Sequence, residues 1–209
     1  YDIDTIPILS YFDNPLTILE EKMKKFLVTL LMIPLLLGII VAPAHAAPLI
    51  DASAAVMVDA STGQVIYEQN AQQKLPIASI SKLLTAIVIE DEVHSNQITG
   101  NTKVKIDSGT AAISNDPNYS AIGLQEGQSY TVRELLNATL VKSADGATMA
   151  LSAAAGDSMD EFNMKLQQKA QDIGLKNYTI VNPVGLNNGD LKSLASKQYS
   201  AKAENAMTA

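Results

Sequence analysis

Between Pro76 and Ile89 the chain reads PIASISKLLTAIVI, with apolar residues on nearly every side of a helical projection. Such a helix is stable in water only where other elements cover it, so the run predicts a helix at the centre of a layered domain. Pro76 ahead of the run and the small polar Ser79 at its start favour a helix N-terminus there. The β-branched content also permits a strand, and periodicity alone does not separate the two.

The flanking sequence supplies both strands and helices. Ser53–Val58 and Gln64–Tyr67 are short apolar runs around the turn Asp59-Ala60-Ser61-Thr62-Gly63, which reads as a β-hairpin. Val104 and Ile106 alternate as in an edge strand. Thr131 and Glu134 form a capping box for a helix over Val132–Val141, and a second helix is expected from Asp145 to Ala155. Ser158 and Glu161 cap a third, in which Phe162, Leu166, Ala170 and Ile173 recur at helical spacing. Tyr178–Val181 is a short extended piece before the turn Asn182–Leu186. Residues 187–209 are polar and show no closing element.

Of the 209 residues 47% are hydrophobic and 18% charged, but one segment inflates the apolar share. From Met23 the chain has the basic pair Lys24 and Lys25, an apolar run from Phe26 to Ala42, and the small-x-small site Ala44-His45-Ala46. This pattern is a secretory signal peptide, residues 23–46, with a single membrane anchor as the alternative reading of the apolar run. Residues 1–22 precede it without apolar periodicity or motif and read as a non-native upstream extension. The mature domain is then 47–209.

Composition excludes several chemistries. From Ala47 onward twelve basic residues face seventeen acidic ones, so nucleic acid is not an expected partner. The chain has no cysteine, and His94 is the one histidine after residue 46. No multi-histidine zinc site can be built from it, and neither metal nor cofactor is expected. His94 follows Asp91-Glu92-Val93, where a helix is expected to end, so it reads as a surface residue. A serine nucleophile would need a different base.

Ser79 and Lys82 supply that pair. Spaced by three on a helix they share a face, and the amine can approach the hydroxyl and accept its proton. A lysine serves as a base near neutral pH only where burial and positive potential disfavour its charged form, and Leu83, Leu84 and Ile87 offer apolar surroundings. The S-x-x-K pattern alone fixes only two common residues. It also describes a capping serine followed by a lysine lying along the surface.

The stretch PIASISKLLT is similar to the active-site segment of the D-alanyl-D-alanine carboxypeptidases of the low-molecular-weight penicillin-binding proteins. VMVDASTGQVIYEQNAQQKLP resembles that family's hairpin and approach loop. GLQEGQSYTVRELLNATLVKSADGATMALS resembles its second motif, and FNMKLQQKAQDIGLKNYTIVNPVGL the helix and turn that follow. The segments occur in the family's order. The resemblance implies an α/β fold of the penicillin-binding and β-lactamase type, an antiparallel sheet flanked by helices. It also implies a serine-type carboxypeptidase that removes the terminal D-alanine from peptidoglycan stem peptides through an acyl-enzyme, with β-lactams acylating the same serine. Ser79 would be the nucleophile, Lys82 the base, and Ser143 a proton relay to the leaving group.

The chain departs from the family pattern twice. The third position of the second motif is commonly Asn and here is Asp145, expected to support substrate binding or proton relay, or simply to cap the next helix. An ionised aspartate only accepts hydrogen bonds, whereas asparagine also donates. The third motif, K-T-G or a variant, is not found after Leu186. The sequence is therefore expected to be the front part of a longer enzyme whose C-terminal strands, together with any membrane-associating tail, lie beyond it. Residues 47–209 alone are expected to be aggregation-prone and to take up no fluorescent penicillin. A D,D-endopeptidase of the same superfamily and a non-catalytic wall-binding protein are the alternative functions. A class A β-lactamase fits less well, because its S-D-N motif and its deacylating glutamate are not recognised here. An extracytoplasmic location in the cell envelope follows from the leader.

Overall fold

The computed structural model describes residues 15–37 and 50–209, which belong to two separate units. The first contains one helix, α1 (Pro15–Leu37), which starts upstream of Met23 and runs through the basic pair into the apolar run. The segment Pro15–Lys22, featureless as sequence, is thus helical. Among the described residues no helix is long and apolar enough to cross a membrane. The expected cleavage site, Ala44-His45-Ala46, and residues 1–14 lie outside the described residues.

The second unit opens with the expected hairpin, β1 (Ala55–Val58) and β2 (Val65–Gln69), antiparallel with Ala55 opposite Gln69 and a bulge between Met57 and Val58. Asp59 builds the turn. One carboxylate oxygen accepts from Ser61 N at 2.8 Å, Ser61 Oγ at 2.5 Å and Thr62 N at 2.9 Å. Those bonds, the Ser61 hydroxyl first, pull its pKa down to about 2. Gly63 closes the turn at φ +72°, a backbone region that costs other residues strain.

After β3 (Leu75–Pro76) and a 3₁₀ turn (Ala78–Ile80) comes α2 (Ser81–His94). Next are β4 (Lys103–Lys105), α3 (Ser108–Ser114), β5 (Ser129–Thr131) and α4 (Val132–Lys142). Then follow α5 (Asp145–Leu151), α6 (Met159–Asp172), a 3₁₀ stretch (Asn188–Leu194) and β6 (Ala206–Met207). The six strands form three antiparallel ladders, β1–β2, β3–β6 and β4–β5, among flanking helices. This is the expected antiparallel α/β arrangement. Both capping boxes form: Thr131 Oγ1 accepts from Glu134 N while Glu134 accepts from Thr131 N, and Ser158 and Glu161 do the same at α6.

The main core lies where α2, α4, α5 and α6 meet, around Ile89, Leu135, Leu151, Phe162 and Leu166, with Val104 and Ile106 from the β4 side. A smaller core joins Ile113, Met149, Val184 and Leu191. A strut crosses from α6 to α2, where Lys165 meets Glu92 at 2.7 Å and Asp157 at 2.5 Å.

Four expectations need correction. Helix α2 is not covered all round: Ile80, Leu83 and Ile87, one stripe at helical spacing, are exposed, as are Val56, Val58, Val65 and Ile66 of the hairpin. Helix α5 ends at Leu151 instead of Ala155, as the chain tightens through turns to Gly156 at φ +87°. Ile173 caps α6 and is half exposed, whereas Phe162, Leu166 and Ala170 are buried. Finally, residues 187–209 do contain a closing element, because β6 pairs with β3 and Ala206 bridges to Thr179.

Three outcomes follow. Ser158→Ala should cost about 1 kcal/mol in urea unfolding, since it removes one cap. Phe162→Ala should cost about 3–5 kcal/mol by cavity formation. The Asp59 carboxyl, followed by its 13C shift, should titrate near 2. Its folded value lies below the unfolded one, so the stability it lends the turn is present above 3.8 and lost as the pH falls through about 2.

Candidate active site

Ser79 stands in the 3₁₀ turn that leads into α2, and its side chain is exposed. The turn is held from both sides. On one, Pro76 pairs with Ala206 and Ile77 N donates to Asn205 O at 3.1 Å. On the other, Gly185 presses against Ala78, the residue before Ser79. A Cβ on Gly185 would lie 1.9 Å from the Ala78 carbonyl oxygen and 2.6 Å from Ser81 Oγ. Gly185 also takes φ +84°, so no other residue fits this position without displacing the turn. Ala78 itself is at φ +42°, a left-handed conformation that costs an alanine about 1–2 kcal/mol and persists only under tight packing.

Two buried asparagines shape the Gly185 loop. Asn182 Oδ1 accepts from Gly185 N at 2.8 Å and Val184 N at 3.1 Å, and its amide donates to Leu186 O at 2.7 Å. Asn205 Oδ1 accepts from Val181 N at 2.6 Å and Asn182 N at 3.1 Å, while its amide donates to Asn182 O at 2.7 Å. Thr85 on α2 donates to Pro183 O at 2.8 Å. Sequence reading found the Asn182–Leu186 turn but not its contact with Ala78 and Ser81, on either side of Ser79 and Ile80. It missed Asn205 altogether, whose partners lie far away in the chain.

One turn along α2, Lys82 points inward and is 2% exposed. Its Nζ lies 2.8 Å from Ser79 Oγ, 3.0 Å from Ser143 Oγ and 2.7 Å from Asp145 Oδ1. The i, i+3 spacing of Ser79 and Lys82 thus gives the expected contact, although a 3₁₀ turn, not α-helix, carries the serine. Ser143 caps α4 in the left-handed conformation, φ 54° and ψ 34°, and Ala144 is extended before α5 begins. That reversal lets both Ser143 and Asp145 reach one amine. All four residues named from the sequence meet at a single point.

Asp145 does not cap α5; Ala144 stands at the cap and bonds with no side chain. The second oxygen of Asp145 accepts instead from Ser120 N at 3.0 Å, in the loop between α3 and β5. Ser120 Oγ donates to Lys142 O at 3.0 Å, which ties that loop to the end of α4. Beside Ser120, the Tyr119 hydroxyl is pushed up by burial first and then by the carboxylates of Asp190, Asp116 and Asp145, against the opposing effect of Lys192. His94 is at the exposed end of α2, with Nδ1 2.7 Å from Glu90 O, and takes no part in the site.

An exposed hydroxyl beside a buried amine, with a second hydroxyl on the same amine, can perform nucleophilic acyl transfer once the amine has a free lone pair. Comparison with known proteins gives the family. The family model for D-alanyl-D-alanine carboxypeptidase matches residues 41–207. Over 136 residues the chain is 32% identical to the Bacillus subtilis D-alanyl-D-alanine carboxypeptidase DacF, covering 65% of this chain and 34% of the relative. It is 30% identical over 199 residues to the Escherichia coli D-alanyl-D-alanine endopeptidase, covering 85% of this chain and 61% of that one. The solved structure of a Streptococcus pneumoniae peptidoglycan synthesis regulatory factor, PBP3, superposes with a TM-score of 0.72 at 34% identity, covering 77% of this chain and 45% of that protein. The fold and the matched span therefore agree: the chain belongs to the D-alanyl-D-alanine carboxypeptidase family.

Proposed function

We propose that this chain carries the nucleophile and base of a serine acyl-transfer site that removes the terminal D-alanine from peptidoglycan stem peptides. The observation that carries the reading is the convergence of Ser79, Ser143 and Asp145 on the buried Lys82 amine. In the forward step Ser79 Oγ attacks the carbonyl of the penultimate D-alanine, and its proton passes to the Lys82 lone pair. Ser143, within reach of the same nitrogen, relays a proton to the amine of the departing D-alanine. Water then hydrolyses the ester on Ser79. The backbone N–H of Ser79 is assigned one of the oxyanion contacts; the resemblance gives the other to the strand that carries the third motif. β-Lactams would acylate the same hydroxyl and remain as long-lived esters.

A second reading, a D,D-endopeptidase that cuts a cross-link, is favoured by one observation: the endopeptidase match extends over 85% of this chain. The acyl-enzyme step is the same, and the two differ in whether the leaving amine is free D-alanine or a cross-linked side chain. The signal-peptide pattern read in residues 23–46 would direct either activity to the outside of the cytoplasmic membrane.

The test uses the natural protein that carries this sequence. Incubated with a peptide ending in D-Ala-D-Ala, it should release D-alanine, and a fluorescent penicillin should label it at Ser79. Ser79→Ala should abolish both. Lys82→Ala should slow labelling by about 10²–10⁴-fold, the range of a lost general base. Release from cross-linked dimers but not from pentapeptides would favour the endopeptidase. Retention of wall-peptide affinity with no adduct before or after Ser79→Ala would identify a non-catalytic binder.

A further inference from the structure

The family pattern has asparagine where this chain has Asp145, and the geometry around that residue is built for an acceptor. An ammonium has three N–H donors. Three oxygens, on Ser79, Ser143 and Asp145, lie within hydrogen-bonding distance of Lys82 Nζ. The other carboxylate oxygen takes the backbone N–H of Ser120. Two N–H donors thus converge on one side chain that is 4% exposed. Because the two donors meet different terminal atoms, an asparagine in the same pose would offer its oxygen to one and its amide to the other. If its oxygen kept Ser120, its amide would face Nζ, an arrangement that is favourable only when Nζ offers a lone pair.

We propose that Asp145 is a positioning residue that locks Lys82 as a fully donating ammonium and ties it to the Ser120 loop, so that the resting site is held closed by one proton. This rests on the acyl-transfer reading above. In the locked pair all Nζ protons are engaged and no lone pair is available for the Ser79 proton. Acylation requires one Nζ proton to leave for solvent. Only then can the Ser79 O–H bond break towards nitrogen as the Ser79 oxygen bonds to the substrate carbonyl carbon. The groups facing Nζ are Ser79 from the 3₁₀ turn, Ser143 from the end of α4 and Asp145 from α5. The Ser120 backbone lies on the far side of the carboxylate, with the Tyr119 hydroxyl beside it. Replacing Asp145 by asparagine removes the one charge paired with the amine while keeping size and shape.

The test is Asp145→Asn in the natural protein, read in two ways. Acylation by a fluorescent penicillin at neutral pH should become faster, by about tenfold or more, because Nζ would then face a neutral amide in place of a carboxylate and the amine would be free to take the Ser79 proton. A merely structural aspartate would give a slower enzyme on replacement, so a rate that is unchanged or reduced overturns the proposal. The second reading is the Nζ resonance of Lys82 in 15N-lysine-labelled protein, assigned by its loss in Lys82→Arg. A protected ammonium signal should be present in the parent protein and absent in Asp145→Asn. Its persistence in the variant overturns the proposal whatever the rates. If neither protein is acylated, the acyl-transfer reading fails, and the Nζ signal alone decides whether Asp145 locks the lysine.

Discussion

The buried Lys82 amine is the point on which this structure turns. Removing a charged ammonium from water is expensive, and the loss is recovered only where partners surround it with good geometry. Here three oxygens do so, from the turn before α2, from the end of α4 and from the start of α5. One nitrogen therefore fixes the mutual placement of three segments that are distant in the chain. The main core packs those helices together, but hydrophobic contact is not directional and would tolerate small rotations. The lysine does not.

The partners are themselves held in conformations that the backbone does not favour. Ala78 and Ser143 both take positive φ without being glycine, one just before the exposed hydroxyl and the other bearing the second hydroxyl. Each is over-determined by its neighbours: Ala78 by Gly185 and the β3–β6 pairing, Ser143 by the reversal between α4 and α5. Strain of this kind positions side chains that regular helix geometry would send elsewhere.

Much of this was legible in the sequence where the signal is local. Thr131 with Glu134 and Ser158 with Glu161 announce helix starts because both partners lie within one turn. The Asp59–Gly63 turn does the same for the hairpin, and the spacing of Ser79 and Lys82 forecasts their contact. Ser143 and Asp145 had no local reason to join them; the resemblance supplied that link. The role of Asn205 could not be read at all, since a single asparagine in a polar stretch carries no periodicity and its partners, at 181 and 182, are remote. Nor could composition say which side of α2 would be covered. Apolar residues all round the helix gave no sign that Ile80, Leu83 and Ile87 would be the stripe left bare.

The β3–β6 pairing has a consequence for the order in which the molecule assembles. Leu75 and Pro76 meet Met207 and Ala206, residues synthesised much later, and Asn205 then clasps the loop that backs Ala78. Contacts so distant in sequence carry a large loop-closure cost and form slowly compared with the locally capped helices α4 and α6. The helical core can thus collapse while the Ser79 turn is still unbraced. The turn that carries Ser79 is thus among the last parts of the fold to be fixed, and its hydroxyl meets solvent before the strands and asparagines around it are in place.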